Sequence, residues 1–357
     1  MIVKTRELGS LATHRAYLKR PPKRGSVRPF PMAASKVFRC QVNGLAARLK
    51  AIRCRDCVVG LSGGLDSALA LLVIDAAFDK LGLDKKGIHV YTMPGFGTTK
   101  RTKGNADLLC EGLGLRLETI DITLACRRHF KDIGHDGKTP DVTFENAQAR
   151  MRTLILMDKA NMTGGIVVGT GDLSEIALGW STYNGDHMSM FAVNNDVPKT
   201  VVRKVCAWWA ERVEKVERVE KVEKVERVER VEKVAKVEGL ALAAKALKDI
   251  IATPVSPELV KGQVTEDKIG PYELHDFFLW NFIVNEMGSS DLLVAANRHF
   301  KGAYAPETVA ATLKTFMWRF FTQAFKRNCQ PDGVKVFPFE LSPHGWWIPS
   351  DLGLVRL

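Results

Sequence analysis

The sequence predicts an α/β fold, in which a parallel β-sheet is flanked by helices and followed by a helical C-terminal part. Short apolar runs that suit buried strands alternate with longer segments that suit helices between residues 36 and 175. This alternation is typical of a parallel sheet covered on both faces. Aromatic-rich sequence with helical character occupies residues 271–327 and predicts the C-terminal part.

The elements can be placed in order along the chain. A first helix is expected over residues 36–51, where apolar residues recur at helical spacing. The apolar runs predict four buried strands, at residues 57–61, 88–93, 115–122 and 165–169. The segments between these strands predict helices over residues 67–80, 102–113 and 143–161. Parallel sheets bind ligands beyond the carboxyl ends of their strands, so we expect a site in the loops at residues 60–67, 93–101 and 169–175.

The composition is that of a soluble globular protein, with 357 residues of which 46% are hydrophobic and 26% charged. No apolar run reaches the roughly 20 residues that a membrane-crossing helix needs, and we expect no signal peptide, because the first apolar stretches are short and interrupted by charge. Seven cysteines in a chain of this length indicate reduced thiols rather than a disulfide scaffold. We therefore expect a cytoplasmic protein.

The net charge of +12 is concentrated at the N-terminus, where the first thirty residues carry eight basic residues and one acidic residue. We predict a disordered leader over residues 1–34 and a single domain over residues 35–357. A basic tail that contacts nucleic acid, or a transit peptide, is the alternative. The remaining charge is too small to indicate a nucleic-acid enzyme.

Residues 211–238 form a low-complexity charged insertion, in which valine recurs at every third position from Val213 to Val237. Three residues turn a helix by about 300°, so the valine stripe winds around the helix and gives no single buried face. Glutamates followed four positions later by a basic residue stabilise an isolated helix by about 0.2–0.5 kcal/mol per pair. We predict one solvated helical arm about 40 Å long. It is either a partner-binding or coiled-coil arm, or an expansion tolerated in a surface loop.

The loop at residues 60–67 reads Gly-Leu-Ser-Gly-Gly-Leu-Asp-Ser and lies between a predicted strand and a predicted helix. Gly63 and Gly64 allow close approach of the backbone to a ligand and a positive φ. Two serine hydroxyls and the N-terminus of the helix supply hydrogen-bond donors. We predict that the loop binds the pyrophosphate part of ATP, through Gly60, Leu61, Ser62, Gly63, Gly64, Leu65, Asp66 and Ser67.

Asp66 requires its own explanation, because a carboxylate and phosphates are both negatively charged. They can lie side by side when Mg²⁺ lies between them. The alternative is an N-cap aspartate beside a pair of turn glycines. A second loop, Gly-Thr-Gly-Asp-Leu-Ser-Glu at residues 169–175, offers Asp172 and Glu175 at the spacing of a capping box. The same spacing leaves Glu175 available to bind Mg²⁺ opposite Asp66, and both interpretations stay open.

Other chemistry-bearing residues give weaker signals. Asn146 and Arg150 share one face of a predicted helix, which is either a binding face or a solvated one. Cys54 and Cys57 have no second cysteine pair, so inert thiols are expected rather than a redox or metal pair. His187 is expected to be structural, since no serine or cysteine partner can be named for it.

The loop at residues 60–67 resembles that of the ATP pyrophosphatase superfamily, which includes GMP, asparagine and argininosuccinate synthetases. Residues 141–150, 169–175, 178–190 (Leu-Gly-Trp-Ser-Thr-Tyr-Asn-Gly-Asp-His-Met-Ser-Met) and 197–200 (Val-Pro-Lys-Thr) resemble NAD synthetases. Three later segments resemble the glutamine-dependent branch of that family, at residues 253–259, 265–278 and 325–333. The resemblance implies an adenine nucleotide alpha hydrolase-like fold, which is Rossmann-like with three layers, and a homodimer or higher oligomer.

The resemblance also implies a carbon–nitrogen ligase. ATP would adenylylate the nicotinate carboxylate of deamido-NAD with release of pyrophosphate, and ammonia would displace AMP to give NAD. The family pattern adds Met93, Thr170 and Lys199 to the ATP site and places Mg²⁺ on Asp66 and Glu175. It makes Asp66, Glu175 and Lys199 catalytic. It assigns the deamido-NAD site to Asn146, Arg150, Glu175, Trp180, Ser181, Thr182, Tyr183 and Lys326.

Three features depart from the family pattern. The glutamine-dependent branch carries an N-terminal nitrilase-like glutaminase domain, where this sequence has a short basic tail. Three explanations are open: ammonia comes from solution, ammonia comes from a separate glutaminase, or the chain is a truncation. The valine-rich insertion stands where the family has a short connection. His344 and Trp346 stand where an arginine and an aspartate are expected.

Three alternatives remain at this stage. A GMP synthetase or similar amidotransferase is disfavoured by residues 170–200. A non-catalytic or partner-dependent subunit, supplied with ammonia by a separate glutaminase, is disfavoured by the joint presence of Asp66, Thr170, Glu175 and Lys199. Nucleic-acid binding through the basic tail would weaken steeply with salt.

Overall fold

The computed structural model describes residues 28–222, 229–256, 259–260, 264–343 and 345. The strands in this part of the chain are β1 Cys57–Gly60, β2 Ile88–Thr92, β3 Leu117–Thr119, β4 Ile166–Gly169 and β5 Phe191–Ala192. They form one parallel sheet in the order β3-β2-β1-β4-β5. The predicted α/β class with a parallel sheet is therefore confirmed.

Two strands differ from the prediction. The strand predicted over residues 115–122 is reduced to the three residues of β3, which pairs with β2 alone at the edge of the sheet. Strand β5, which has two residues and pairs with β4, was not predicted from the sequence. A strand of two residues is too short to leave a periodic signal in the sequence.

Helices surround the sheet and form the C-terminal part. They are α1 Ala34–Ile52, α2 Leu65–Leu81, α3 Lys100–Leu113, α4 Thr123–Asp132, α5 Val142–Thr163, α6 Leu173–Leu178, α7 Lys199–Val222, α8 Glu229–Ala252, α9 Thr265–Ile269, α10 Tyr272–Ile283, α11 Ser289–His299 and α12 Pro306–Thr322. Short 3₁₀ helices span Lys85–Gly87 and Ala324–Cys329. None of the described helices combines the length and the apolarity that crossing a membrane would require.

Helix α2 is the most buried helix beside the sheet. Eleven of its seventeen residues are buried, from Leu65 to Phe78. A helix that is apolar around most of its circumference belongs in the interior of a protein. Because α2 begins directly after the loop that follows β1, this burial fixes the loop relative to the sheet.

The folded domain begins earlier than the predicted boundary at residue 35. Phe30 is buried, and its ring lies 4.9 Å from the rings of both Trp280 and Phe337 in edge-on contacts. Such aromatic pairs add about 0.5–1.5 kcal/mol beyond the burial of apolar area. The predicted leader is therefore too long at its C-terminal end, and its residues 1–27 lie outside the described part of the chain, as do His344 and Trp346.

The segment predicted as one solvated helical arm over residues 211–238 is helical over residues 211–222 and 229–238, but these parts belong to two helices instead of one. Helices α7 and α8 pack against each other. Arg203 Nη1 donates to Ile251 O at 2.7 Å, and Glu214 forms an ion pair with Lys248, so later residues of α7 meet earlier residues of α8. The two helices therefore run in opposite directions, a pairing that no local sequence pattern could show. The prediction for residues 223–228 lies outside the described residues.

Helix α8 also packs closely against α3. The guanidinium of Arg101 donates to both carboxylate oxygens of Asp249, at 2.8 and 2.6 Å, and Asn105 donates to the same carboxylate. At the other end of the contact, a Cβ on Gly112 would lie 2.5 Å from both Ala243 N and Gly239 O. Helix α8 therefore approaches α3 as closely as glycine allows.

We expect the Gly112→Ala variant to lose about 1–3 kcal/mol of unfolding free energy, because the new methyl group overlaps the backbone of α8. Gly104 is the matched control, since it lies in the same helix and a Cβ there meets no atom within 4 Å. Gly104→Ala should stabilise the protein by about 0.5–1 kcal/mol through helix propensity. Urea denaturation measures both, and two variants of equal stability would contradict the close helix contact.

Candidate active site

The candidate site lies where the strand order changes direction. β1 has β2 on one side and β4 on the other, so the loops that follow β1 and β4 diverge and leave a crevice at the carboxyl edge of the sheet. A cavity of about 720 Å³ occupies this edge, and both loops line it. Its volume is within the range of about 300–1,000 Å³ that is common for small-molecule sites.

The loop after β1 depends on one left-handed glycine. Gly63 has φ of 83°, and a Cβ on it would lie 2.1 Å from Thr102 O. The predicted positive φ is wrong for Gly64, whose φ is −92° because it is the N-cap of α2. A Cβ on Gly64 would instead lie 3.2 Å from Ser62 Oγ. One left-handed residue thus completes the turn, and the helix begins two residues earlier than predicted, at Leu65.

The serine hydroxyls hold this loop together. Ser62 Oγ and Ser67 Oγ lie 3.0 Å apart, and Ser67 Oγ donates to Gly64 O at 3.1 Å. All the residues predicted to bind ATP phosphates, from Gly60 to Ser67, line the cavity. The first N–H groups of α2 have no acceptor within the helix, so this end of the cavity is suited to anions. Asp66 is the second residue of α2, so the N-cap alternative for Asp66 is wrong.

Lys199 is the charged centre of the site. Its side chain is 2% exposed. Its ammonium lies 2.5 Å from Asp66 Oδ2, 2.9 Å from Asp172 Oδ2 and 2.9 Å from Glu175 Oε1. The ring centroid of Tyr272 lies 5.3 Å from the same nitrogen. One buried cation therefore joins carboxylates from the loop after β1 and the loop after β4.

Burial and crowding of charge set the ionisation of this cluster. Burial raises the pKa of Glu175 to about 7, although the nearby ammonium works in the opposite direction. Burial also raises the pKa of Asp172 well above its ordinary value. Burial alone would lower the pKa of Lys199, but the three carboxylates raise it well above its ordinary value. A further cation bound here would lower the pKa of both Asp172 and Glu175.

The backbone around Lys199 is fixed by a second buried carboxylate network. Lys199 N donates to Ser174 Oγ at 2.8 Å, and the Ser174 hydroxyl donates to Asp276. Asp276 also accepts from Thr200 N at 2.9 Å. Since these residues belong to α6, α7 and α10, the C-terminal helical part holds the charged centre in place.

The carboxylate donor set fits a divalent cation. Asp66, Asp172 and Glu175 each offer an oxygen, and these oxygens lie within 4.8 Å of one another. Asp66 Oδ1 is buried and has no hydrogen-bond partner. A bound divalent cation would favour ionisation of all three carboxylates, which together with the Lys199 ammonium would then carry two negative charges, and Mg²⁺ prefers such oxygen ligands. The residues present therefore fit the ion.

Asp172 is a site residue that the sequence analysis recognised only as a helix cap. The predicted capping box is confirmed: Asp172 Oδ1 accepts from Glu175 N at 2.8 Å, and Glu175 Oε2 accepts from Asp172 N at 3.5 Å. Its other oxygen contacts Lys199. The capping box itself could have indicated that Asp172 belongs to the site, since it brings the carboxyl groups of Asp172 and Glu175 to one helix end.

Asn194 is a second site residue that the sequence analysis missed. Its side-chain amide donates to Asp66 O at 2.9 Å and to Thr170 O at 3.0 Å, so it joins the two loops directly. Gln41 of helix α1 donates to Asn194 Oδ1 at 2.8 Å and orients the amide. An asparagine pair shortly after a two-residue strand carries no signal of this role in the sequence.

The other end of the cavity combines cations with an aromatic ring. Lys326 Nζ donates to Gly179 O at 2.9 Å and Ser181 O at 2.6 Å. The guanidinium of Arg319 lies 4.8 Å from the ring centroid of Trp180. Thr182 Oγ1 donates to Asn146 Oδ1 at 2.8 Å, which joins the wall to helix α5.

The cavity brings most of the predicted site residues together. In addition to the loop at residues 60–67, it is lined by Met93, Asn146, Thr170, Glu175, Trp180, Ser181, Thr182 and Lys326. Arg150 and Tyr183 lie outside the cavity wall, where Arg150 Nη2 donates to Tyr183 O at 3.2 Å. Lys199 was expected to contact the nucleotide, but it lies behind the carboxylates of Asp66 and Glu175 because burial and three opposite charges hold it there.

Comparison with known proteins identifies the family. A family model described as NAD synthase matches residues 37–219. The chain belongs to the NAD synthase family. It is 36% identical over 353 residues to the glutamine-dependent NAD(+) synthetase of Mycobacterium leprae, a match that covers 89% of this chain and 48% of the relative. The chain thus spans about half the length of the curated relatives it matches.

Solved structures share the fold. A glutamine-dependent NAD(+) synthetase from Cytophaga hutchinsonii superposes with a TM-score of 0.64 at 17% identity, over 89% of this chain and 54% of that one. An NMN synthetase from Francisella tularensis gives 0.55 at 22% identity, over 75% of this chain and 92% of that one. At these identities the likeness shows the fold alone, and it confirms the predicted Rossmann-like architecture.

The buried ion pairs of Lys199 give a prediction about stability. Lys199→Met leaves three buried carboxylates without their cation, and we expect it to lower the unfolding free energy by about 3–5 kcal/mol. Urea denaturation at pH 7.5 measures the loss. Lys204→Met on the exposed face of the same helix is the control, with an expected change within about 0.5 kcal/mol.

A double-mutant cycle separates the charge effect from lost packing. Asp172→Asn keeps a good N-cap residue and removes one buried charge. The Lys199→Met, Asp172→Asn double variant should therefore be more stable than the sum of the single losses implies. Strictly additive losses would show that the two side chains do not interact.

Proposed function

We propose that this chain catalyses the two steps of NAD formation from deamido-NAD: adenylylation of the nicotinate carboxylate by ATP, then amidation by ammonia. The observation that carries this proposal is one continuous cavity. Its anion-binding end is the loop at residues 60–67, and its other end is the wall around Asn146, Trp180 and Lys326. A nucleoside triphosphate and a second substrate can therefore meet at the α-phosphate.

The phosphate end suits an in-line attack on the α-phosphorus. Such a step spreads negative charge over the phosphoryl oxygens, and donors fixed in advance stabilise that charge most effectively. The first N–H groups of α2 and the hydroxyls of Ser62 and Ser67 are held in position by hydrogen bonds within the loop. Mg²⁺ bound by Asp66 and Glu175, with Asp172 beside them, would supply the remaining positive charge. Lys199 keeps these carboxylates at a fixed spacing.

The opposite end suits the deamido-NAD substrate. Trp180 offers an aromatic ring with Arg319 over one face, and Lys326 adds a second cation. A nicotinate ring with its carboxylate is planar, aromatic and anionic, so it matches such a surface. Asn146 and Thr182 add polar groups to the same wall. No protein nucleophile is required, because the substrate carboxylate itself attacks ATP.

The second step requires only that ammonia reach the adenylate and displace AMP. Glutamine carries its nitrogen as an amide, and its release is a separate hydrolysis that needs its own catalytic centre. We therefore assign free ammonia as the nucleophile at this cavity. A separate glutaminase that supplies the ammonia, a homodimeric assembly and a cytoplasmic location stay predictions.

Activity tests the proposal directly. The purified chain with deamido-NAD, ATP, Mg²⁺ and ammonium should form NAD, AMP and pyrophosphate. Asp66→Asn and Glu175→Gln should each lower kcat by about 100-fold or more, because each removes an oxygen ligand and its charge. Calorimetric titration with Mg²⁺ gives a second readout, in which both variants should bind the ion more weakly. Asp107→Asn, on an exposed part of α3, is the control.

A folded chain that forms no NAD at saturating ammonium would contradict the proposal. The deamidated mononucleotide is the informative alternative substrate, since one structural neighbour is named as an NMN synthetase. A preference for the mononucleotide would move the assignment to that smaller substrate.

The nitrogen donor is a separate prediction. We expect ammonium to support the reaction and glutamine to give no more product than a blank when it is the sole nitrogen source for this 357-residue chain. Chromatographic separation of NAD from deamido-NAD measures both rates. Equal rates with glutamine and ammonium would contradict the assignment of free ammonia.

A further inference from the structure

A thiol–imidazole pair lies next to the substrate end of the cavity and takes no part in the chemistry above. Cys329 is the last residue of the 3₁₀ helix Ala324–Cys329, and its sulfur lies 3.2 Å from His187 Nε2. Cys329 as a residue is partly exposed. Lys326 of the same 3₁₀ helix, and Asp186 and Met188 on either side of the histidine, line the cavity.

The hydrogen bonds of His187 orient it as a base. Its Nδ1 lies 2.9 Å from Thr182 O, and a carbonyl oxygen can only accept, so Nδ1 carries the proton. The neutral ring therefore presents the lone pair of Nε2 to the thiol. The ring of Tyr183 lies beside the imidazole, with the ring centroids 6.1 Å apart and an interplanar angle of 23°.

The other six cysteines lack such a partner. Cys57, Cys110, Cys126 and Cys206 are buried, and burial raises the pKa of Cys110 to about 12. Cys54, which is partly buried, donates to Asp56 O at 3.2 Å instead of contacting a base. All seven cysteines lie within the described ranges, and among them Cys329 is the one whose sulfur contacts an imidazole.

The resting pair is neutral. Burial raises the pKa of the Cys329 thiol, with a hydrogen bond from Tyr183 acting in the opposite direction. Burial also lowers the pKa of His187. His187 Nε2 is the nearest acceptor for the thiol at 3.2 Å, ahead of Asn184 Oδ1 at 3.6 Å and Lys326 O at 3.7 Å. Reaction of the thiol requires that its proton move to Nε2 as the sulfur attacks, as in general-base catalysis.

We propose that Cys329 is a modification site for small disulfides, with His187 as the base that activates it. The Cys329 sulfur forms a bond to one sulfur of the disulfide while its proton passes to His187 Nε2. The disulfide bond breaks, and the second sulfur leaves as a thiolate that takes the proton from the imidazolium. The products are a mixed disulfide on Cys329 and one free small thiol, so the disulfide is the oxidant and no other reactant is needed.

The modification reaches the cavity through Thr182. An adduct on Cys329 removes the hydrogen bond to His187 and crowds the imidazole, whose Nδ1 holds Thr182 O. Thr182 in turn donates to Asn146, so the wall of the substrate end is displaced. This effect on the cavity rests on the proposed function, and we expect the adduct to raise KM for deamido-NAD. The modification of Cys329 itself does not depend on the proposed function.

Thiol labelling tests the modification without any activity assay. The intact chain is treated with 5,5′-dithiobis(2-nitrobenzoate), the released thiolate is followed by absorbance, and the labelled residue is found by peptide mass spectrometry. We expect the fastest phase to map to Cys329 and to vanish in Cys329→Ser, while it persists in Cys54→Ser. A fastest phase that maps to Cys40 or Cys54 would overturn the proposal.

The role of His187 has its own signature. His187→Gln should slow the labelling of Cys329 by about tenfold or more at pH 7, since general bases commonly contribute 100-fold or more. The difference should shrink near pH 10, where solvent hydroxide ionises the thiol directly. Equal rates for both proteins at pH 7, or a difference that is constant with pH, would show that the histidine only positions the loop.

The link to function is measured separately. Oxidised glutathione should lower NAD formation in proportion to the mixed disulfide, dithiothreitol should restore it, and Cys329→Ser should resist the loss. Full labelling of Cys329 with unchanged activity would overturn the link to the cavity. A labelled chain that never forms NAD would overturn the proposed function and leave the modification site standing.

Discussion

The burial of one ammonium group among three carboxylates is the constraint on which the site depends. A charge taken out of water is costly unless its partners surround it, so Lys199 can be buried only if the carboxylates of Asp66, Asp172 and Glu175 converge. Those carboxylates belong to loops that diverge from neighbouring strands. The ion pairs therefore hold the two diverging loops together. Neither loop can move without exposing a buried charge or separating an ion pair.

Helix N-termini explain why acidic residues are stable at this point. α2 begins at Leu65, α6 at Leu173 and α7 at Lys199, and all three begin near the carboxyl edge of the sheet. Asp66 lies in the first turn of α2, and Asp172 and Glu175 cap α6. Each carboxylate is thus favoured locally by a helix dipole, by about 0.3–1 kcal/mol at exposed sites, before it contributes to the shared site. Because acidic residues at helix N-termini form a local sequence pattern, this part of the site can be recognised from the sequence.

The features that could be predicted from the sequence are those that depend on a local sequence pattern. Helices α1, α2, α3 and α5, strands β1, β2 and β4, and the phosphate-type loop all follow from periodicity, apolar runs and glycine placement. What could not be predicted depends on contacts between distant segments. Asn194 joins two loops from outside both, Lys199 lies behind the carboxylates rather than beside them, and α7 turns out to pack against α8. Phe30 belongs to the core through Trp280 and Phe337, which lie 250 and 307 positions later in the chain.

The paired helices α7 and α8 have a consequence for how this chain can vary between species. Their inner ends carry Lys199 and Asp249, so both ends next to the cavity are fixed by side chains of the main domain. Residues added or removed between Val222 and Glu229 enter at the end away from those contacts. Tandemly repeated coding sequence is prone to change in copy number when DNA is copied. A change in the number of repeats there would leave the contacts of Lys199 and Asp249 in place.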